Sequence, residues 1–369
     1  MASAYLTTTD LRERLARRLS GALRAGSGVV RVEVPWPDAP DPLAWLAAQT
    51  GTETAYWCGR DDGLCRAAVG TAVVISGPDA LTRLGTEADR LPDGSAYLGG
   101  LRFDAATAPE SEWSGFGAGR FVLPRVEMVV REGEAVLAVH AVAGRDTARE
   151  IREALAAIVL EAPALPASLG FPVARTDRPD REGWHEAVTD ALAAMERGEM
   201  EKVVLARRAT YRFEHPLDAA ALLARLTEAA PQAFHVLLSD GEGRQFVAAT
   251  PERLVRVEDR EAWTEAVAGT RRRGDGADAR AFHDELAESE KDRREHAFVR
   301  DFISEALAPF ASVVCVEAPV QIEAARVRHL KTPLRATLHE GVAPLDVVAA
   351  LHPTPAVGGT PTLTALATI

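Results

Sequence analysis

Short β-rich runs separated by turns, between Val29 and about Val142, constrain the fold of this chain more than any other feature. The runs are VVRVEV, TAYWCG, LCRAAVGTAVVIS, SAYLGGLRF and RFVLPRVEMVVREGEAVLAVHAV, and residues 131–134 read as a hairpin turn within the last of them. Strands joined by tight turns are typical of antiparallel pairing, because a hairpin needs only a few residues to reverse the chain. We therefore predict an antiparallel sheet, with one helix between Asp79 and Arg90.

Helices and further strands alternate over the rest of the chain. Apolar spacing predicts helices over residues 147–160, 180–196, 219–230 and 286–300, and strands over 201–213, 234–238, 245–248, VVCV and ARVRHLKTPLRATL. Leucines at 11, 15, 19 and 23 predict an N-terminal helix, which fits Asp10 and Glu13 better than a transit peptide does. The length alone permits two domains or one large α/β or α+β domain.

Composition and charge limit the classes of partner that the protein can bind. Its formal net charge of −12 argues against nucleic acid or an anionic membrane, because those partners attract basic surfaces. No apolar run is long enough to cross a bilayer. Three cysteines, Cys58, Cys65 and Cys315, without a recognisable signal peptide predict reduced thiols and a cytoplasmic protein. We expect a small-molecule partner, and no P-loop or GxGxxG motif indicates a nucleotide.

Lys202 and Glu252 are candidate proton-transfer residues, each with two interpretations. Strand alternation places Lys202 on the face of Val204 and Ala206. Its ammonium either extends to solvent or is partly desolvated, in which case its pKa falls and it can act as a general base. Glu252 follows Pro251 at a strand end and is either an exposed turn residue or a carboxylic acid whose raised pKa lets it donate a proton.

Glu290 is a candidate metal ligand in the predicted helix over 286–300. It follows Leu286 by one turn, which places it towards the packed side of that helix. Either Glu290 pairs with Arg294 at i+4, or its oxygens hold a hard divalent cation that offsets the cost of desolvating the charge. The spacing does not choose between the two.

The segment Glu265–Gly274 and one histidine are candidates for a ligand pocket. The small residues at 268–270 allow the backbone to approach a ligand closely. The arginines at 271–273 either bind an anion or pair at the surface. His329 alternates with Lys331 on a predicted strand, where a single histidine is more often structural than catalytic.

Several motifs together resemble those of the chorismate-utilising enzymes in their order, spacing and residues. They are EKVVLARR at 201–208, ATPERLV at 249–255, AVAGTRRRG at 266–274 and SEKDRREH at 289–296, followed by RHLKTPL and LHPTPAVGGTP. Within that group they look most like isochorismate synthases. The resemblance implies one α+β domain, in which two large antiparallel sheets pack together with helices on the outside. Residues 1–98 would be its variable part and residues 99–369 its catalytic region.

The resemblance also implies a reaction and the residues that carry it. Lys202 would be the general base that activates water for attack at C2 of chorismate, and Glu252 the general acid that protonates the departing C4 hydroxyl. Glu290 would bind Mg²⁺, which would clamp the ring carboxylate. The residues expected to line the substrate pocket are Ala268, Gly269, Thr270 and His329. The product would supply menaquinone or siderophore synthesis.

Two positions separate this chain from relatives with other products. Enzymes that make aminodeoxychorismate carry a nucleophilic lysine where this chain has Ala268, and anthranilate synthases usually lack the lysine found here at Lys202. Anthranilate synthases also need a partner that supplies ammonia, so a monomer is expected here. Salicylate synthases share the lysine and go on to eliminate pyruvate, and they remain the alternative enzymatic interpretation.

The C-terminal end departs from the family pattern. After the GGTP turn the family continues with a substrate-binding arginine, a GAGIV-type loop and a helix with further metal-binding glutamates, whereas this chain ends at Ile369. The expectation from sequence is a truncated enzyme with little turnover. The non-enzymatic alternative is a remnant that binds chorismate without consuming it.

Overall fold

The computed structural model describes residues 8–104, 107, 110–274, 277–324 and 326–369. The chain divides into two compact units, one formed by Met1–Leu169 with Leu217–Pro251 and the other by Gly170–Pro216 with Glu252–Ile369. Each unit contains one large antiparallel sheet together with helices, which confirms the expected α+β class. The division into residues 1–98 and 99–369 within one domain stays a prediction.

The first unit is built on an eight-stranded antiparallel sheet in the order β1-β6-β5-β3-β2-β10-β11, with β4 on β5. Labels follow chain order through both units. The elements of this unit are α1 (Thr8–Ala25), β1 (Val29–Pro35), α2 (Pro42–Ala47), β2 (Thr54–Cys58), β3 (Cys65–Ser76), α3 (Ala80–Ala88), β4 (Leu98–Leu101), a 3-10 turn (Ser111–Trp113), β5 (Gly119–Arg131), β6 (Glu134–Val142), α4 (Ala148–Ala157), α6 (Ala219–Ala229), β10 (Phe234–Ser239) and β11 (Gln245–Thr250).

The periodicity of the sequence accounts for the core of this unit. Leu11, Leu15 and Leu19 share one buried face of α1, as the leucine spacing predicts. The predicted hairpin joins β5 to β6 through Glu132 and Gly133, both at positive φ. Burying one face of each element against the others removes apolar surface from water, which is the main contribution to stability.

The prediction of reduced thiols is wrong for one pair of cysteines. Cys58 and Cys65 form a disulfide, and Cys315 is free and exposed. The antiparallel register of β2 and β3 pairs the two residues directly, with their Cα atoms 4.0 Å apart. Counting cysteines along the sequence could not show this pairing, because it depends on the register between two strands.

The second unit is built on a five-stranded antiparallel sheet in the order β12-β13-β16-β14, with β15 also on β16. Its elements are β7 (Ala174–Arg178), α5 (Arg181–Glu196), β8 (Lys202–Val203), β9 (Arg208–Arg212), β12 (Arg256–Glu258), β13 (Glu261–Arg272), α7 (Ala277–Glu288), α8 (Glu290–Leu307), a 3-10 turn (Ala308–Phe310), β14 (Ala311–Val316), β15 (Val320–Ala324), β16 (Val327–Leu338), α9 (Pro344–Leu351), β17 (Gly359–Thr360) and α10 (Thr362–Thr368). Two short pairs, β17 with β8 and β7 with β9, complete it.

Two predicted elements of this unit are divided in the structure. The helix expected over 286–300 is interrupted at Ser289, where α7 ends and α8 begins. Ser289 has extended backbone angles and its hydroxyl accepts from the Asp292 amide, so it is the N-cap of α8. The strand expected over 201–213 becomes β8 and β9, which pair with different partners. None of the helices in the described ranges is both long and apolar enough to cross a membrane.

Candidate active site

Lys202 is buried, with 7% of its surface exposed. It lies on β8, which pairs with β17, and its ammonium donates a hydrogen bond to the Pro355 carbonyl. The Glu295 carboxylate lies 4.0 Å from the Lys202 Nζ. Burial lowers the pKa of Lys202 because it disfavours the charged form, while the charges of Glu295 and Glu252 oppose that change. The lysine is therefore desolvated, and it does not extend to solvent.

Glu252 is half-buried and shows the opposite pKa change. Burial raises the pKa of Glu252, the negative charge of Glu265 raises it further, and the positive charge of Lys202 lowers it. Lys202 and Glu252 are thus close enough for each charge to influence the other group. The pKa of the base moves down and that of the acid moves up, as proton transfer near neutral pH requires.

Glu265 joins this cluster from the middle of β13, where only 5% of it is exposed. One carboxylate oxygen lies 3.0 Å from the Lys331 Nζ on the adjacent strand β16. The other oxygen accepts a hydrogen bond from the backbone amide of Arg253, at 3.1 Å. Both oxygens therefore have a partner, and one of those partners belongs to the residue directly after Glu252.

Helix α8 contributes Glu295 to the cluster and leaves Glu290 outside it. The buried positions of α8 are Asp292, His296, Val299, Ile303 and Leu307. Glu290 is exposed at the first position of this helix, so the expectation that it points towards the packed side is wrong. The physical reason is the break at Ser289, because a helical phase counted from Leu286 does not continue through a non-helical residue.

Gly269 lies at a β-bulge of β13 and packs closely against α8. The register with β16 shifts between Ala268 and Thr270, and the φ of Gly269 is +77°. A Cβ at this position would approach the Cβ of Asp292 to 3.2 Å. Asp292 is 2% exposed and forms an ion pair of 2.5 Å with Arg271. A residue larger than glycine would therefore be strained here by both its φ and its contact.

The remaining predicted pocket residues lie on β13 and β16. Ala268 is buried and Thr270 is exposed. The Thr270 hydroxyl and the His329 Nδ1 are 3.0 Å apart across the two strands, and burial lowers the pKa of His329. The structure thus brings Lys202 together with Glu252, and residues 268–270 together with His329. The substrate-binding role of the second group stays a prediction.

Sequence reasoning missed several residues of this unit: Glu265, Asp292, Glu295, His296 and Lys331. A signal for those on α8 was present in the sequence. The string Ser289-Glu-Lys-Asp292 has the [ST]-x-x-[DE] form of a helix start. Counting from that start puts Asp292, His296 and Val299 on one face. Glu265 and Lys331 gave no local signal, because their pairing depends on the register of β13 and β16.

The cluster offers limited support for a metal site. Within the described ranges, no group of three or more His, Cys, Asp or Glu side chains converges as metal ligands. Glu295, whose carboxylate lies 4.0 Å from the Lys202 Nζ, has a side chain that is 35% exposed. Mg²⁺ commonly uses one or two protein carboxylates and completes its octahedron with water and substrate oxygens. One carboxylate of the chain is therefore compatible with such an ion but does not define it.

Comparison with known proteins gives consistent matches. A family model described as chorismate binding enzyme matches residues 22–369. The salicylate biosynthesis isochorismate synthase of Pseudomonas aeruginosa is 38% identical over 281 residues, and the isochorismate synthase MenF of Bacillus subtilis is 30% identical over 273 residues. Each match covers 73% of this chain, which spans 58% of the length of either relative. The solved structure of MenF, the menaquinone-specific isochorismate synthase from Escherichia coli, aligns with a TM-score of 0.84 and 26% identity, covering 98% of this chain and 83% of that one.

Proposed function

This chain belongs to the chorismate-binding enzyme family, and on that premise we propose that it converts chorismate to isochorismate. In this reaction water adds at C2, the C4 hydroxyl leaves and the ring double bonds move, so that substrate and product are isomers. Water is a weak nucleophile and hydroxide a poor leaving group, so the reaction needs both a base and an acid. The proposal takes Lys202 as the base and Glu252 as the acid.

The observation that supports this proposal is the opposed pKa change of two neighbouring groups, the buried Lys202 and the half-buried Glu252. Burial favours the neutral amine of Lys202, which can accept a proton from water. Burial and the charge of Glu265 favour the protonated carboxyl group of Glu252, which can donate to the departing oxygen. Since Lys202 is only 7% exposed, bulk water competes little for its proton. The pocket role of Ala268, Gly269, Thr270 and His329 is part of the same proposal.

We further propose that the reaction depends on Mg²⁺ and that Glu295 is a ligand of the ion. When bound, the ion would neutralise the charge of the substrate ring carboxylate. Glu295→Gln is expected to raise the Mg²⁺ concentration needed for half-maximal rate. Glu290→Gln is the matched control on the same helix, because Glu290 is exposed. If Glu290→Gln changes the Mg²⁺ requirement and Glu295→Gln does not, Glu290 is the Mg²⁺ ligand, as the sequence predicts.

The decisive experiment is incubation of the purified chain with chorismate and Mg²⁺, followed by chromatography of the products. Isochorismate is the expected product, and it should be absent with Lys202→Met or Glu252→Gln. Formation of salicylate and pyruvate would instead identify a salicylate synthase. Chorismate that binds but remains unchanged would contradict the proposed activity and would identify a protein that only binds chorismate. Supply of menaquinone or siderophore precursors, a cytoplasmic location and a monomeric state stay predictions.

A further inference from the structure

Glu265 and Lys331 form an ion pair between a buried carboxylate and a half-buried ammonium, and the pair has no proton-transfer role in the proposed reaction. Only 4% of the Glu265 side chain and 23% of the Lys331 side chain are exposed. Desolvating two charges is expensive, and such a pair often contributes less to stability than apolar residues of similar size would. Because the buried carboxylate of this pair contacts the residue that follows Glu252, a role other than stability deserves a test.

The position of Glu265 relative to Glu252 supplies that explanation. Its Oε1 accepts a hydrogen bond from the Arg253 amide, so the peptide that follows Glu252 is tied to the centre of β13. Its Oε2 lies 3.0 Å from the Lys331 ammonium, and this charge-assisted contact fixes the position of the carboxylate. We propose that Glu265, held by Lys331, is a positioning residue for the general acid: it fixes the backbone at Glu252 and maintains a negative charge beside the Glu252 carboxyl group.

The charged groups around the acid agree with this role. The charges of Glu265 on β13 and Lys202 on β8 both act on Glu252, and Lys331 on β16 contacts Glu265. Glu295 on α8 contacts Lys202. A negative neighbour disfavours ionisation of a carboxyl group, so Glu265 helps to keep Glu252 protonated. The inference rests on the proposed function only in its consequence for the rate, since the effect on Glu252 exists without substrate.

Glu265→Gln tests the inference, because glutamine can still accept from the Arg253 amide but carries no charge. The titration of the Glu252 carboxyl carbon can be followed by ¹³C NMR and assigned by its loss in Glu252→Gln. We expect the Glu252 midpoint to move to lower pH in Glu265→Gln. In steady-state assays kcat should fall by about tenfold while KM changes by less than about twofold, because the acid is less often protonated.

Glu261→Gln is the matched control. Glu261 lies on the same strand and also forms a cross-strand ion pair, with Arg335, but in an exposed position. In the Glu261→Gln variant, the titration midpoint of Glu252 and the kcat should equal those of the wild type. If Glu265→Gln fails to fold with Lys331 left unpaired, the double variant Glu265→Gln/Lys331→Met removes both charges and should show the same direction of shift.

The outcomes separate the inference from the proposed function. An unchanged Glu252 midpoint in both the single and the double variant overturns the inference, whatever the activity. A wild type that does not convert chorismate overturns the proposed function, and the NMR titration still decides the role of Glu265. A lowered midpoint together with an unchanged kcat would show that Glu265 acts on the charge of Glu252 but not on the reaction, and it would overturn the catalytic consequence.

Discussion

Two buried polar clusters, one in each unit, use similar residues in different ways. In the first unit, Glu127 is fully buried on β5 and its carboxylate lies 2.9 Å from the Arg66 guanidinium. His140 is also fully buried, and its ring nitrogens lie 3.0 Å from the Pro124 carbonyl and 3.1 Å from the Ser95 hydroxyl. In this cluster a fixed guanidinium charge pairs with the carboxylate, and the histidine forms hydrogen bonds with neutral groups while its Nε2 lies 3.8 Å from the Glu127 carboxylate.

The cluster of the second unit has a less closely paired central lysine. Lys202 and Glu295 are 4.0 Å apart, and Glu252 is half-buried. Lysine can lose its proton when desolvated, whereas arginine effectively cannot. Burial of polar side chains alone therefore does not identify a catalytic site. The cluster proposed to exchange protons combines a desolvated lysine with a carboxyl group of raised pKa, whereas the cluster built on Arg66 holds a fixed charge against a carboxylate.

Lys202→Met should give the largest effect and sharpen this comparison. Methionine has similar length and no charge, so isochorismate formation should fall on the order of 10³-fold because the proposed general base is lost. The free energy of unfolding should change by no more than about 1 kcal/mol, since only one hydrogen bond is removed. Denaturant unfolding and the chromatographic assay measure the two quantities. A loss of several kcal/mol of unfolding free energy would show that Lys202, like Arg66, has a structural role.

Arg66→Met should have the opposite effects, lowering stability while leaving activity unchanged. It leaves the fully buried Glu127 without its closest positive partner, so the free energy of unfolding should fall by about 3 kcal/mol. Activity per folded molecule should stay the same. Arg335→Met is the control, because its ion pair with Glu261 is exposed and should contribute less than about 1 kcal/mol. Equal destabilisation by the two variants would contradict the structural importance of the buried cluster.

His140 should make stability depend on pH. Burial, followed by the charge of Arg31, lowers the pKa of His140 from 6.5 to about 3. The unfolded chain therefore binds a proton at higher pH than the folded chain, so this contribution is complete above the unfolded pKa and is lost as pH falls from 6.5 towards 3.

Between pH 7.5 and 5, the wild type should lose about 2 kcal/mol more unfolding free energy than His140→Gln does. Glu127, whose pKa is raised by burial, contributes with the opposite sign in both proteins, so the difference between their slopes reports on His140. Urea unfolding across this pH range provides the measurement. Parallel slopes would show that His140 does not set the pH dependence of its cluster.

Ser289→Ala should give the smallest effect, at the start of the helix that carries Asp292 and Glu295. Loss of the N-cap hydroxyl should cost about 1 kcal/mol of unfolding free energy. Ser304→Ala, within the same helix, should cost nothing, because alanine favours helix interiors. Thermal unfolding of both variants would detect the difference, and equal melting temperatures would argue against the cap.

Local sequence patterns determined many of the helices and strands and indicated the two catalytic candidates. Leucine spacing specified α1, alternation and a turn specified the β5–β6 hairpin, and motif order specified Lys202 and Glu252 as a pair. These features depend on neighbours within a few residues or on a motif known from a family, so they can be read without coordinates.

Tertiary structure alone decided which side chains meet. The Cys58–Cys65 disulfide, the Glu265–Lys331 pair and the approach of Asp292 to Gly269 all depend on register or packing between separate elements. The prediction that Glu290 is turned towards the packed side was wrong, because Ser289 ends one helix and begins another, so the helical phase starts again there. Burial then set the direction of the pKa changes at Lys202 and Glu252, since desolvation by the surrounding fold, which no single motif encodes, disfavours the charged form of each group.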